Sequence, residues 1–159
     1  EEKLKDEGNG TKQESAAESI ENNVRKKVVE KIVINPAYYA KMSAILEQLI
    51  IDRKRGVIAY GQLLDAYMEL AKNVERPEDN TSYPDSVRHS GALRALYDNC
   101  GQDEQQALKL HKAIVKAKQD GFRNNPVKEN KIKRAIYQIL KDEDEVERIY
   151  QIIVEQGEY

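Results

Sequence analysis

The sequence predicts an all-α chain of about seven helices in an irregular helical bundle. Apolar residues recur at helical spacing along most of its length, and no stretch alternates apolar and polar residues as a half-buried strand would. Helix starts and stops are also punctuated by side chains that suit them, most plainly Asn35-Pro36 and Asn125-Pro126. With no Trp, one Phe and nine Tyr, aliphatic side chains must fill the core.

A chain of 159 residues fits one domain, long enough to bury roughly two-thirds of its unfolded surface. Residues 1–14 hold two glycines, one Leu and no periodicity, so they read as a disordered or frayed lead-in to a single helical domain over 15–159. The chain opens on Glu instead of Met, so it reads as an excised piece of something longer. No apolar run approaches the ~20 residues of a membrane span, so no membrane partner is expected. One cysteine, Cys100, excludes an internal disulfide and fits a reducing cytoplasm.

From residue 15 to 34, Ile20, Val24, Val28 and Ile32 form one helical stripe. Asn35 then caps a second helix that Pro36 begins, with Tyr39, Met42, Ile45, Leu46, Leu49 and Ile50 on its apolar side. Arg53-Lys54-Arg55-Gly56 supplies a stop, cations complementing the helix dipole before a glycine. A third helix over about 60–74 has a weak start, because Ala59 and Gly61 cap poorly. After a proline-bracketed loop at 76–84, one short helix is expected over 85–99, with Val87, Leu93, Leu96 and Tyr97 inward. His89 reads as exposed. Asp103 with Gln106 forms a capping box for the next helix, whose apolar side carries Ala107, Leu108, His111, Ile114 and Val115. Ile132, Ala135, Ile136, Ile139 and Leu140 line another, and Asp142 with Glu145 caps a last one bearing Val146, Ile149, Tyr150 and Ile153.

The chain is organised around the corner Gly121-Phe122-Arg123-Asn124-Asn125-Pro126. Gly121 suits the left-handed position just past a helix C-terminus, and Phe122 suits the apolar residue folding back onto Ala117 and Ile114. Asn125 caps the following helix and Pro126 takes its first position. The overall charge of −2 hides an asymmetry. Over 109–134 nine Lys/Arg face two acids, a net of +7, while 135–159 carries a net of −5. Lys128, Lys131 and Arg134 recur every three residues on one helix face, and Arg123 at the corner extends it. Such a row neutralises phosphates, pairs with an acidic protein surface, or is simply solvated.

The sequence nominates no catalytic residue. Phosphate-loop, dinucleotide-binding and nucleophile-elbow motifs are absent from it. Cys100 reads as a small apolar side chain beside Gly101 and His111 as a core-edge histidine. With two histidines and no cysteine pair, no metal site is expected. Asp142-Glu143-Asp144-Glu145 fits the positive end of a helix better than a metal.

Three patterns in order carry a family resemblance: Asn35-Pro36-x-Tyr38-Tyr39, Arg94-Ala95-Leu96-Tyr97-Asp98-Asn99, and Asp120-Gly121-Phe122-Arg123-x-Asn125-x-x-Lys128 leading into Ile132-Lys133-Arg134-Ala135-Ile136. From about Asn35 to Tyr159 the chain resembles the C-terminal helical region of the R subunit of type I restriction enzymes, where Trp often stands in place of Phe122. The resemblance implies a prokaryotic, cytoplasmic parent subunit, an ATP-dependent type I site-specific deoxyribonuclease. Its nuclease and motor domains, with the ATP and Mg2+ they use, lie upstream of this region. It implies docking on the methyltransferase core, with methyltransferase and specificity subunits as partners and no cofactor in this fragment. The alternative is a stand-alone helical nucleic-acid-binding domain using the basic face over 123–134.

Overall fold

The structure, a computed structural model, describes residues 2–159, with side chains from residue 8 onward. Among the described residues there are eight α-helices, a 310 turn at Pro77–Asp79 and no strand. The helices are α1 (Glu2–Lys31), α2 (Pro36–Arg55), α3 (Tyr60–Glu75), α4 (Asp85–Arg88), α5 (Gly91–Asn99), α6 (Glu104–Ala117), α7 (Pro126–Leu140) and α8 (Glu143–Val154). The all-α expectation therefore holds. No helix among the described residues is long and apolar enough to cross a membrane.

Where the sequence suggests one domain, the chain divides into two compact units, Glu1–Lys31 with Tyr39–Pro77, and Ile32–Tyr38 with Glu78–Tyr159. In the first unit α1 packs against α3. Residues 2–14, read from the sequence as a lead-in, belong to α1. Tertiary contact accounts for part of this extension, since Glu14 Oε1 lies 3.5 Å from the Arg53 guanidinium. The stripe of α1 is also rotated from the expected one. Ala17, Glu21, Val24 and Val28 are buried, while Ile20 is half-buried and Ile32 lies past the helix end.

Glu21 explains that rotation. Its carboxylate accepts from Arg53 Nε at 2.6 Å and Nη2 at 3.1 Å, and from the Tyr67 hydroxyl at 2.5 Å. A buried carboxylate costs several kcal/mol unless it is paired and hydrogen-bonded, and this one is both. Arg53 is thus committed to a buried partner, a more specific role than the helix-dipole complement expected of it. The stop after α2 is a Schellman motif: the Val57 amide donates to Asp52 O and the Gly56 amide to Arg53 O, both at 3.1 Å. Gly56 takes φ +67° there, as the sequence leads one to expect.

The second unit holds α4 to α8 around a core of Ala95, Leu96, Leu110, Ile114, Phe122, Ile132, Ile136, Ile149 and Ile153, among others. The helix expected over 85–99 is two helices. Ser90 interrupts it by accepting the Leu93 amide at 3.1 Å as the N-cap of α5. On α6 the buried face is Ala107, Leu110 and Ile114; Leu108 and His111 are half-buried and Val115 is 47% exposed. The face is set by where α5 and α7 pack, which periodicity alone does not give. Side-chain caps expected at Asp103, Asn125 and Asp142 are all made, at 3.0 Å, 3.2 Å and 3.1 Å.

The corner departs from its expected form. α6 ends at Ala117 with Lys118 extended, so Gly121 does not follow the helix directly. It sits instead in the turn of the connecting loop, still at φ +67°. Asn124 takes a second left-handed position, φ 61°, and the Asn125 amide closes that turn on Phe122 O at 3.1 Å. A β-carbon added at Gly121 meets nothing nearer than Lys128 Nζ at 3.9 Å, so conformation and not space requires the glycine. Gly121→Ala is therefore expected to lower stability by about 1–2 kcal/mol. Thermal melting checks it, and an unchanged midpoint would mean that the loop does not need its left-handed residue.

Candidate functional site

The candidate site is the corner and the helices on either side of it. Asn125 and Pro126 start α7, with the Asn125 Oδ1 accepting the Lys128 amide. Phe122, 2% exposed, anchors the corner in the core of the second unit. These two features fix where Arg123 and Lys128 reach.

The four cations read from the sequence as one face separate in the structure. Arg123 folds back over Phe122, its guanidinium carbon 4.5 Å from the ring centroid. From there it donates to three carbonyls, one at the last residue of α8 and two beyond it: Nε to Val154 O at 2.9 Å, Nη2 to Gln156 O at 2.7 Å and Nη1 to Tyr159 O at 3.1 Å. Lys128 Nζ donates to Asp120 O at 2.5 Å, closing the loop that precedes its own helix. Lys131 and Arg134 are exposed and make no hydrogen bond or ion pair among the described residues. Lys133, between them, pairs with Glu147 at 2.8 Å and lies over the Tyr150 ring at 4.7 Å. Two of the four candidates thus hold the fold together, and two remain directed to solvent.

The carbonyls that Arg123 takes belong to a segment that is docked residue by residue. Gln156 Nε2 donates to Ile152 O at 2.9 Å and Ile34 O at 2.7 Å. The Glu158 carboxylate accepts from the Ser90 hydroxyl at 2.6 Å and the Ala92 amide at 3.0 Å, at the positive end of α5. Burial alone would raise its pKa, yet these hydrogen bonds from Ser90, Ala92 and Gly91 hold it below the usual carboxylate value. Tyr159, 9% exposed, places its hydroxyl 2.6 Å from His111 Nδ1. Burial lowers the pKa of His111 from 6.5, with Glu158 pulling weakly the other way. Apart from the bond of Gln156 to Ile152, none of these contacts is local in sequence, and the sequence gives no signal for them beyond the apolar setting of His111.

A second cluster joins two of the patterns noted in the sequence. Asn35 Nδ2 donates to Asp98 Oδ2 at 2.8 Å, and Asn99 Nδ2 donates to Asn35 Oδ1 at 2.8 Å. Asn99 Oδ1 accepts the Ala37 amide at 3.2 Å, and the Tyr83 hydroxyl also donates to Asp98. Tyr38 and Tyr97 pack their rings on Tyr83, each with centroids 5.9 Å apart. Burial, then Asp98, pushes the Tyr83 hydroxyl well above its ordinary pKa. Cys100 next to this cluster is pushed up to about 11 by burial, so its thiol is protonated at neutral pH. Among the described residues no group of His, Cys, Asp and Glu is arranged to hold a metal.

Compared with protein-family models, curated proteins and solved structures, the chain matches none.

Two outcomes follow from this geometry. Arg123→Gln leaves three carbonyls without their charged donor and is expected to cost about 2 kcal/mol. Lys131→Gln, an exposed change, should stay within about 0.5 kcal/mol. Denaturant titration of both variants checks the contrast; equal midpoints would remove Arg123 from the structural role. The His111 shift gives a pH dependence. Its folded pKa lies below the unfolded 6.5, so the unfolded chain binds more protons between the two values. Stability is therefore complete above about pH 6.5 and falls as pH drops through that window. The contribution of Glu158 is lost only lower, below the ordinary 4.5 of a carboxyl group. Melting temperatures of wild type and His111→Gln from pH 7.5 to 5 (about 0.5 unit apart) should converge toward acid, the slope being shallower in the variant.

Proposed function

We propose that the chain is a non-catalytic helical C-terminal module of a type I restriction enzyme R subunit, one that docks this subunit on the methyltransferase core. ATP-dependent DNA translocation and cleavage are then carried by upstream domains, with ATP and Mg2+ bound there, in a prokaryotic cytoplasm. The observation that supports this reading best is the structural use made of the residues that carry the resemblance. Asn35, Asp98 and Asn99 meet in one buried polar cluster, although more than sixty residues separate the first from the others. Phe122 and Arg123 clamp the segment after α8. Residues that make joints of this kind suit a helical scaffold, and such a scaffold serves assembly without an active site of its own.

The second reading, a nucleic-acid-binding domain using the face over 123–134, has fewer contacts to draw on. Arg123 and Lys128 are engaged within the fold, which leaves Lys131 and Arg134. Two neutralised phosphates correspond to a log–log salt slope of only about −1.8 on duplex DNA. The acidic start of α8, Glu143 to Glu145, follows this helix directly and would repel a long duplex passing over both.

Co-purification of the chain with the methyltransferase and specificity subunits encoded beside it tests the docking role. Retention of the chain on the tagged methyltransferase core through size-exclusion chromatography is the expected result. Elution of the chain alone, with the core intact, would refute it.

A further inference from the structure

We infer that the outward faces of α6 and α7 form the docking surface, and that its occupant is an acidic protein surface with apolar residues among its acids. The inference rests on the docking role proposed above. Its starting point is charge that the fold leaves unspent. On α6, Lys109, Lys112 and Lys116 lie at i, i+3 and i+7, one helix face, and all three are exposed. On α7, Lys131 and Arg134 are exposed at i and i+3. None of the five has a hydrogen-bond or ion-pair partner among the described residues, unlike Arg123, Lys128 and Lys133.

The two rows belong together. α6 packs against α7, and the residues opposite the rows, Leu110 and Ile114 on one helix and Ile132 and Ile136 on the other, share one core. Lys109 and Lys112 line a shallow groove to which Ile139 of α7 also contributes, with Asp103 at its edge as the one acid. Acids are sparse here. Between α6 and the end of α7 the only ones are Asp120 at the corner and Glu129, which accepts from the Tyr150 hydroxyl at 2.8 Å. Five cations on two helices whose axes lie about 8–10 Å apart set up a positive potential that steers and holds an anionic partner.

The neighbours of these cations favour protein over a phosphate backbone. Val127, 69% exposed, stands on the same face of α7 as Lys131 and Arg134, and Tyr137, 40% exposed, is three residues beyond Arg134. Exposed apolar and aromatic side chains set among arginine and lysine are the composition of a protein interface. A phosphodiester backbone offers nothing to bury them. Arg134 and Tyr137 also line a groove whose far wall carries Glu143 and Glu147 of α8. These carboxylates bound the positive area on one side, which suits a partner surface of limited extent better than a continuous polyanion.

The test uses the full chain, the purified methyltransferase–specificity complex, and a triple charge reversal, Lys112→Glu, Lys131→Glu and Arg134→Glu. Lys41→Glu, an exposed cation of the first unit, is the control. Wild type and control are expected to bind alike, more weakly as salt rises. The triple variant should bind at least roughly tenfold more weakly at about 0.15 M salt, with its melting temperature unchanged. If that variant does not fold, the triple Gln variant replaces it, with a smaller loss in the same direction. Binding of the variant at wild-type strength would overturn the surface while leaving the docking role standing. Failure of the wild type to bind would remove both. Sub-micromolar binding of a labelled duplex at the same salt, with a log–log slope near about −4.5 that shrinks in the variant, would assign the face to nucleic acid instead.

Discussion

The second unit depends on how the end of α8 is satisfied. A helix C-terminus leaves its last four carbonyls without intrahelical donors, and the usual remedies are a glycine turn, water or a cationic side chain. Here the Ile152 and Ile153 carbonyls accept the Glu155 and Gln156 amides, and a cation from another part of the chain supplies the donor for Val154. The planar fork of Arg123 reaches the carbonyls of Val154, Gln156 and Tyr159 together. With those groups taken, the segment after α8 lies flat enough for Glu158 to meet the free amides of α5 and for Tyr159 to reach His111. One guanidinium therefore ties the last carbonyl of α8 to the segment beyond it, and that segment in turn contacts α5 and α6. Phe122 sets the guanidinium itself by lying beneath it.

Local devices were legible in the sequence because their partners lie within a turn. Asn125, Asp103 and Asp142 each accept an amide three residues on, a distance at which composition and geometry coincide. The stop at Gly56 is legible for the same reason. The reading of Arg123 as part of a basic face fails differently. Its acceptors are 31, 33 and 36 residues away, and nothing in the spacing of Lys and Arg tells a solvated cation from one turned inward. Helical periodicity likewise fixed that α6 and α1 have buried faces but not which way those faces turn. Leu110 displaced Val115, and Glu21 lies where only apolar residues were expected, because the partner helices decide.

Each unit holds one buried polar cluster, and the two are built on different chemistry. In the first, a carboxylate is matched by a bidentate guanidinium and a hydroxyl, Glu21 with Arg53 and Tyr67. Removing one member would strand a buried charge, which is far costlier than losing an exposed pair. In the second, amides and a carboxylate share their donors, Asn35 with Asp98 and Asn99, and Tyr83 adds its hydroxyl. Such clusters contribute little net stability but fix register, since apolar packing tolerates small slips that a set of directional hydrogen bonds does not. That the patterns Asn35-Pro36 and Asp98-Asn99 are distant in sequence and joined in space gives them a purpose independent of any ligand.

The charge asymmetry of the sequence takes on a different meaning once the internal pairs are removed. Of the nine basic residues over 109–134, Arg123, Lys128 and Lys133 are bound within the fold. What remains concentrates on α6 and α7, while the acids of α8 are partly used at its own N-terminus, where Asp142 caps and Glu145 pairs with Arg148 at 2.5 Å. Net charge over the segment thus overstated what α7 presents to solvent, while Lys109, Lys112 and Lys116 of α6 remain exposed. Solvent-directed charge on rigid helices, placed beside exposed valine and tyrosine, is a feature that a fold gains nothing from internally. Exposed like charges on neighbouring helices repel each other, so these cations contribute nothing to the stability of the fold.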